Sequence, residues 1–251
     1  MKKKKLIIVT LLLFVVLTGV FIFTSNSPGP GDLPENSAIK EEIESTLGGV
    51  KIDEIVDRQQ VGDDHAFFPF ITDDGQRGMS VWKVENRKWT IGASDNGGEP
   101  SLWKIDPQDP ETFYIIYHLD PDDDVDKIDF YMKRERNYHV TGEHQSYVPQ
   151  IMAKEEVDVS GGYGAQPAPK IWKELQNQLN TLAQPDNNGA NGLFSSSHPN
   201  PHLQMLYVPY DDEGEFSRLE QTLGNQSFTN GEQMDLIIWM DPLELEEEQI
   251  Q

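Results

Sequence analysis

Between Leu6 and Phe23 only Thr10, Thr18 and Gly19 interrupt a run of Leu, Ile, Val and Phe. At about 1.5 Å per residue, a helix over it reaches roughly 27 Å, close to the ~30 Å hydrocarbon core of a bilayer. Each large aliphatic or Phe contributes on the order of −0.3 to −0.6 kcal/mol to insertion, so lipid is the environment the run fits. Lys2, Lys3, Lys4 and Lys5 precede it, and the first acidic residue is Asp32. The positive-inside rule then leaves the N-terminus in the cytoplasm and carries everything after Phe23 out. A removable secretory signal has a shorter apolar stretch, about 7–15 residues, and small residues at its cleavage site. Here Ser25 and Ser27 are the one small pair, Pro28 follows them, and Phe21, Ile22 and Phe23 crowd the positions before. Retention as a single-pass cell-membrane anchor is the expectation, with cleavage as the alternative. The best later apolar run, residues 236–240, is too short to span and is bracketed by Asp235 and Asp241.

The charge balance decides which partners fit an exported body. Without the four leading lysines, 16 of the 20 basic residues remain against 43 acidic ones, a balance of −27. That surface repels nucleic acid and anionic headgroups and attracts cations or basic ligands. It also keeps an exported protein soluble. There is no cysteine, which removes disulfides, thiolate metal sites and a lipid-modified N-terminal cysteine; packing must supply the stability.

Along the chain, residues 1–24 form a cytoplasmic stub and transmembrane helix, and 25–37 a Pro-, Gly- and Ser-rich linker. Ile39, Ile43 and Leu47 fall on one face of a short helix that Gly48-Gly49 ends. Residues 38–158 otherwise read as β-rich. Residues 66–72 precede the turn Asp73-Asp74-Gly75, and 78–84 and 88–93 form a hairpin with Trp82, Val84, Trp89 and Ile91 at period two. Residues 112–119 and 125–132 are expected to pair around an acidic turn. Residues 159–243 read as a helix–strand–helix–strand section, in the same or a second small domain. Its helices run from Pro169 to about Leu182 and over 213–223, and its strands over 203–208 and 234–240. Residues 244–251 are an acidic tail. The expected fold class is α+β: a transmembrane helix, then a mostly antiparallel β-meander with a few packed amphipathic helices.

Motifs for catalysis fail on order and spacing. Ser101-Leu102-Trp103-Lys104 matches S-x-x-K and Ser94-Asp95-Asn96 matches S-D-N, but their order is reversed, they are too close, and no K-T-G follows. Of His65, His118, His139, His144, His198 and His202, only the last two have ligand-like spacing, and two prolines between them forbid a shared helix face. His118 ends an aromatic strand and reads as a half-buried structural residue. In so acidic a chain no pair of carboxylates stands out for glycoside hydrolysis. Asp120, Asp122, Asp124 and Asp126 are candidate ligands for Ca²⁺, a cation that takes six to eight oxygens. An EF-hand is excluded, because Val125 stands where Gly is needed and Tyr131 where Glu should close the site. The remaining candidates are Trp82, Trp89 and Trp103, which on an exposed ledge would bind glycan or an envelope protein.

The lysine-started membrane segment, the short amphipathic helix and the Trp-ended hairpin of residues 78–91 give the first 93 residues a recognisable layout. It resembles that of uncharacterised small membrane-anchored exported proteins of Gram-positive bacteria. The resemblance implies a cell-envelope location and carries no catalytic residue. The expected function is a membrane-anchored extracytoplasmic binding or accessory protein, without catalysis. An envelope hydrolase using carboxylates, or a cation-binding sensor module, are the alternatives.

Overall fold

A computed structural model describes residues 32–134, 136–141, 144–148, 150–183 and 203–243. The expected membrane segment, most of the linker, the acidic tail, His198 and His202 lie outside them. Among the described residues no helix is long and apolar enough to cross a membrane.

Helix α1 (Asn36–Thr46) precedes twelve strands: β1 (Ile52–Ile55), β2 (Gln59–Val61), β3 (His65–Thr72), β4 (Arg77–Glu85), β5 (Lys88–Asp95), β6 (Ser101–Lys104), β7 (Phe113–His118), β8 (Lys127–Arg134), β9 (Asn137–Thr141), β10 (His144–Val148), β11 (Ile151–Asp158) and β12 (Tyr163–Pro167). Helix α2 (Lys170–Ala183) then leads to β13 (Gln204–Tyr210), β14 (Ser227–Thr229), β15 (Gln233–Leu236) and β16 (Ile238–Trp239). The pairing is almost wholly antiparallel, so the α+β expectation holds at the level of mostly antiparallel sheets with few helices.

Three sheets stack on one another. The first runs β1-β3-β4-β5-β14, with β2 also along β3. One of its faces is covered by α1, where Ile39, Ile43 and Leu47 meet Ala66, Phe68, Phe70, Trp82 and Ile91. Its other face presents Phe67, Met79 and Val81 to Trp103 and Ile116 of the second sheet, β12-β7-β6-β15. The second sheet's far side sends Phe113, Ile115 and Tyr117 to Ile128, Phe130 and Met132 of the third, β11-β8-β13-β16, and Trp172 of α2 joins that layer. Strands β3 and β7 are apolar at consecutive positions because both their faces are covered.

The layering corrects three expectations. Residues 113–118 and 127–134 do not pair: β7 lies in the second sheet and β8 in the third. Between them a 3₁₀ turn, Pro121–Asp123, is followed by Asp124 at φ 51°, which redirects the chain into the next layer. Residues 213–223 are not helical. The Asp123 carboxylate accepts the backbone N–H of Gln221 (2.8 Å) and of Thr222 (3.0 Å), and Ser217 Oγ donates to the Asp123 carbonyl at 2.6 Å. Amides that a helix would return to its own carbonyls are bound to a distant carboxylate instead. Residues 234–240 are not one buried strand. They divide at buried Ile237 into β15, in the second sheet, and β16, in the third, which leaves Leu236 and Ile238 exposed. Strands β13–β16 are thus hydrogen-bonded into the sheets to which β5, β6 and β8 belong.

Candidate binding groove

The chain turns from β11 into β12 without pairing them. Among the described residues β11 bonds only to β8, and β12 only to β7, so no described strand covers the edges of the third and second sheets on either side of the connection. Two concavities flank the end of β11. One, of about 300 Å³, is walled by Asp126, Glu156, Asp158, Asp211 and Asp212 around Lys127. The other, of about 330 Å³, is formed by Ile115, Glu155, Val157, Gln166, Pro167 and Pro169, and shares Glu156 and Asp158 with the first. Alternation along a strand builds this arrangement, because successive side chains point to opposite faces. Glu155 lies opposite Phe130 and Val157 opposite Ile128, on the core side of the sheet, while Glu156 and Asp158 belong to the other side.

Backbone bonds fix the groove. Asp126 N–H donates to the Tyr210 carbonyl at 3.0 Å, and Val159 N–H to the Asp126 carbonyl at 2.8 Å. Asp211 accepts the Glu215 N–H at 2.7 Å, closing the turn that carries Asp212. The Ser160 hydroxyl (2.6 Å) and its N–H (3.0 Å) both donate to Asp158, and these bonds hold its carboxyl below the usual carboxylate range. Lys127 pairs with Glu156 at 3.3 Å and lies 5.2 Å over the Tyr210 ring. One lysine among five carboxylates leaves a concentrated negative potential in a concave wall.

The sequence-predicted aspartates do not converge. Asp120 caps the 3₁₀ turn through the Asp122 N–H (3.0 Å) and meets Arg77 at 3.3 Å. Asp122 and Asp124 are exposed, and Asp126 belongs to the groove. Among the described residues no three His, Asp or Glu side chains are grouped closely enough to hold a metal ion. The tryptophans form no ledge. Trp82 and Trp103 are 3% and 0% exposed, and Trp89 is half-buried against the α1 cluster. Trp82 and Trp103 pack on opposite faces of the first sheet because both faces are covered. An exposed aromatic absent from the sequence reading is Trp239, whose ring lies 6.0 Å from that of Phe216, with the Arg218 guanidinium 5.5 Å and 5.9 Å from the two rings. Glu155, Glu156, Asp158, Asp211 and Asp212 also escaped it, since in an acidic chain the segments KEEVD and YDDEG differ little from their surroundings.

Two further titratable clusters lie elsewhere. Burial raises the carboxyls of Asp95 and Glu99, but neither borders the concavities. Glu232, 6% exposed, accepts the Trp103 indole N–H at 2.8 Å, with Lys83 at 3.7 Å and His65 at 3.9 Å. Asp64 and Glu85 complete this knot through His65 (2.7 Å) and Lys83 (2.9 Å).

Comparison with known proteins finds no family model, curated protein or solved structure that matches this chain.

Proposed function

We propose that the chain is a single-pass, N-in membrane protein whose extracytoplasmic body is a non-catalytic binding or accessory module of the cell envelope, and that the double groove at β11 receives an extended basic segment of an envelope protein. The observation that carries the reading is the charge of the groove, five carboxylates around one lysine in an open concavity. The two Ser160 hydrogen bonds push the Asp158 carboxyl down and so favour its charged form, which suits binding a cation. A general acid would need a carboxyl pushed up, and Asp95 and Glu99, which are pushed up, face neither concavity. Carboxylates spread along a strand fit several cationic side chains on an extended partner better than one compact ion.

The open edges supply the backbone half of such recognition, since an extended peptide can add itself to an exposed strand. Glu155 supplies selectivity. A charge on the core side of an edge strand discourages pairing with another copy of the same acidic edge, whereas a Lys or Arg opposite it is accommodated.

The test is a titration of the full-length chain in nanodiscs with an extended Lys/Arg-rich peptide at low and high salt. Binding that weakens several-fold with salt and is lost in Glu156→Gln/Asp158→Asn supports the proposal. No binding, or binding indifferent to salt and to both substitutions, contradicts it.

A further inference from the structure

Asn-Gly pairs are where a peptide chain rearranges most readily, because glycine leaves its amide nitrogen unhindered. Two such pairs fall in the described residues, and their surroundings are opposite. Asn96, 3% exposed, has its carboxamide engaged at every position. Its Oδ1 accepts the N–H groups of Asn225 (2.9 Å) and Gln226 (2.8 Å), and its Nδ2 donates to Gln76 (2.7 Å) and Asn225 (3.2 Å). The Gly97 N–H is held by Asp95 at 2.7 Å. Asn230 is exposed, its carboxamide makes one 3.2 Å bond to the Ile91 carbonyl, and Gly231 turns the chain at φ 83°. No acceptor among the described residues takes the Gly231 N–H.

We propose that Asn230 is a site of spontaneous deamidation that loosens the buried Glu232 knot, and that Asn96 is protected from the same reaction by its hydrogen bonds. The Gly231 nitrogen attacks Asn230 Cγ. The new N–Cγ bond forms, the Cγ–Nδ2 bond breaks, and ammonia leaves with the proton from Gly231. Water then opens the succinimide at one of its two carbonyls, giving aspartate or isoaspartate, with no oxidant or reductant required. Neither product can donate to the Ile91 carbonyl, and isoaspartate adds a methylene to the main chain just ahead of Glu232. The bend that crosses from β14 to β15 then loses its side-chain tie to the β5 edge and keeps the Asn230 N–H bond to the Gly92 carbonyl at 2.6 Å.

Native full-length chain incubated at mildly alkaline pH, then digested with trypsin and mapped by mass spectrometry with isoaspartate detection, tests this directly. Cleavage after Lys88, Lys104, Lys173 and Arg218 puts Asn96 and Asn230 in separate peptides, and the Asn-Gly pairs at 188 and 191 in a third. The expected result is aspartate and isoaspartate at Asn230, with Asn96 intact until denaturant is added. Equal rates at the two sites in the native chain, or an Asn230 as durable as Asn96, overturn the assignment. Asn230→Asp is expected to lower the melting temperature, and an unchanged midpoint overturns the loosening.

Discussion

Asn96 is an asparagine with no spare hydrogen-bonding capacity, and it ties β5 to the segment that leads into β14. Asn96→Ala leaves two backbone amides and the Gln76 carboxamide without this partner at a part-buried site, and is expected to cost about 1–3 kcal/mol in denaturant unfolding. His118 behaves differently because it titrates. Burial lowers its pKa from 6.5 to about 4, with the bond to the Gly78 carbonyl (2.9 Å) opposing. Between those values the unfolded chain binds more protons than the folded one, so stability rises with pH. The stabilisation is complete above about pH 6.5 and is lost as pH falls towards 4, by roughly 3 kcal/mol in all. His118→Asn, which keeps a donor for Gly78, is expected to flatten that part of the stability–pH curve. The burial of His118 was legible as far as a half-buried place at the end of an aromatic strand. The role of Asp123 was not, because its partners at 217, 221 and 222 are remote in sequence.

At the scale of elements, periodicity told the truth wherever one neighbour decided the structure. The stripe Ile39, Ile43, Leu47 made α1 visible, and the structure lays that stripe on the first sheet. Ile43→Ala is accordingly expected to cost about 2–4 kcal/mol, read as a lower denaturant midpoint at unchanged slope. Periodicity misled where a long-range polar group intervened. Phe216, Leu219 and Leu223 have helical spacing, yet Asp123 takes the amides, and Leu223 is left exposed. The edge strand β11 shows a third case: Glu155 breaks an otherwise inward apolar alternation, Ala153 and Val157, that a sheet edge exposes to pairing. Glu155→Val is expected to fold and to self-associate, seen as an earlier, concentration-dependent elution in size-exclusion chromatography.

At the scale of the whole molecule, the stacked sheets explain why an acidic chain has so apolar a middle, and why Trp82 and Trp103 went inward. Covering both faces of β3–β5 used aromatics that the sequence alone could equally have placed outside. Charge was thereby left largely to edges and turns, and a concave array of it flanks the end of β11. The proposed role depends on where that array is displayed, which in turn depends on residues 6–23. Protease added to wall-stripped cells, with the chain followed through a tag on each end, measures this. The account predicts loss of the C-terminal tag from intact cells while an N-terminal fragment of anchor size stays protected. A full-length chain that survives until the membrane is lysed would contradict it.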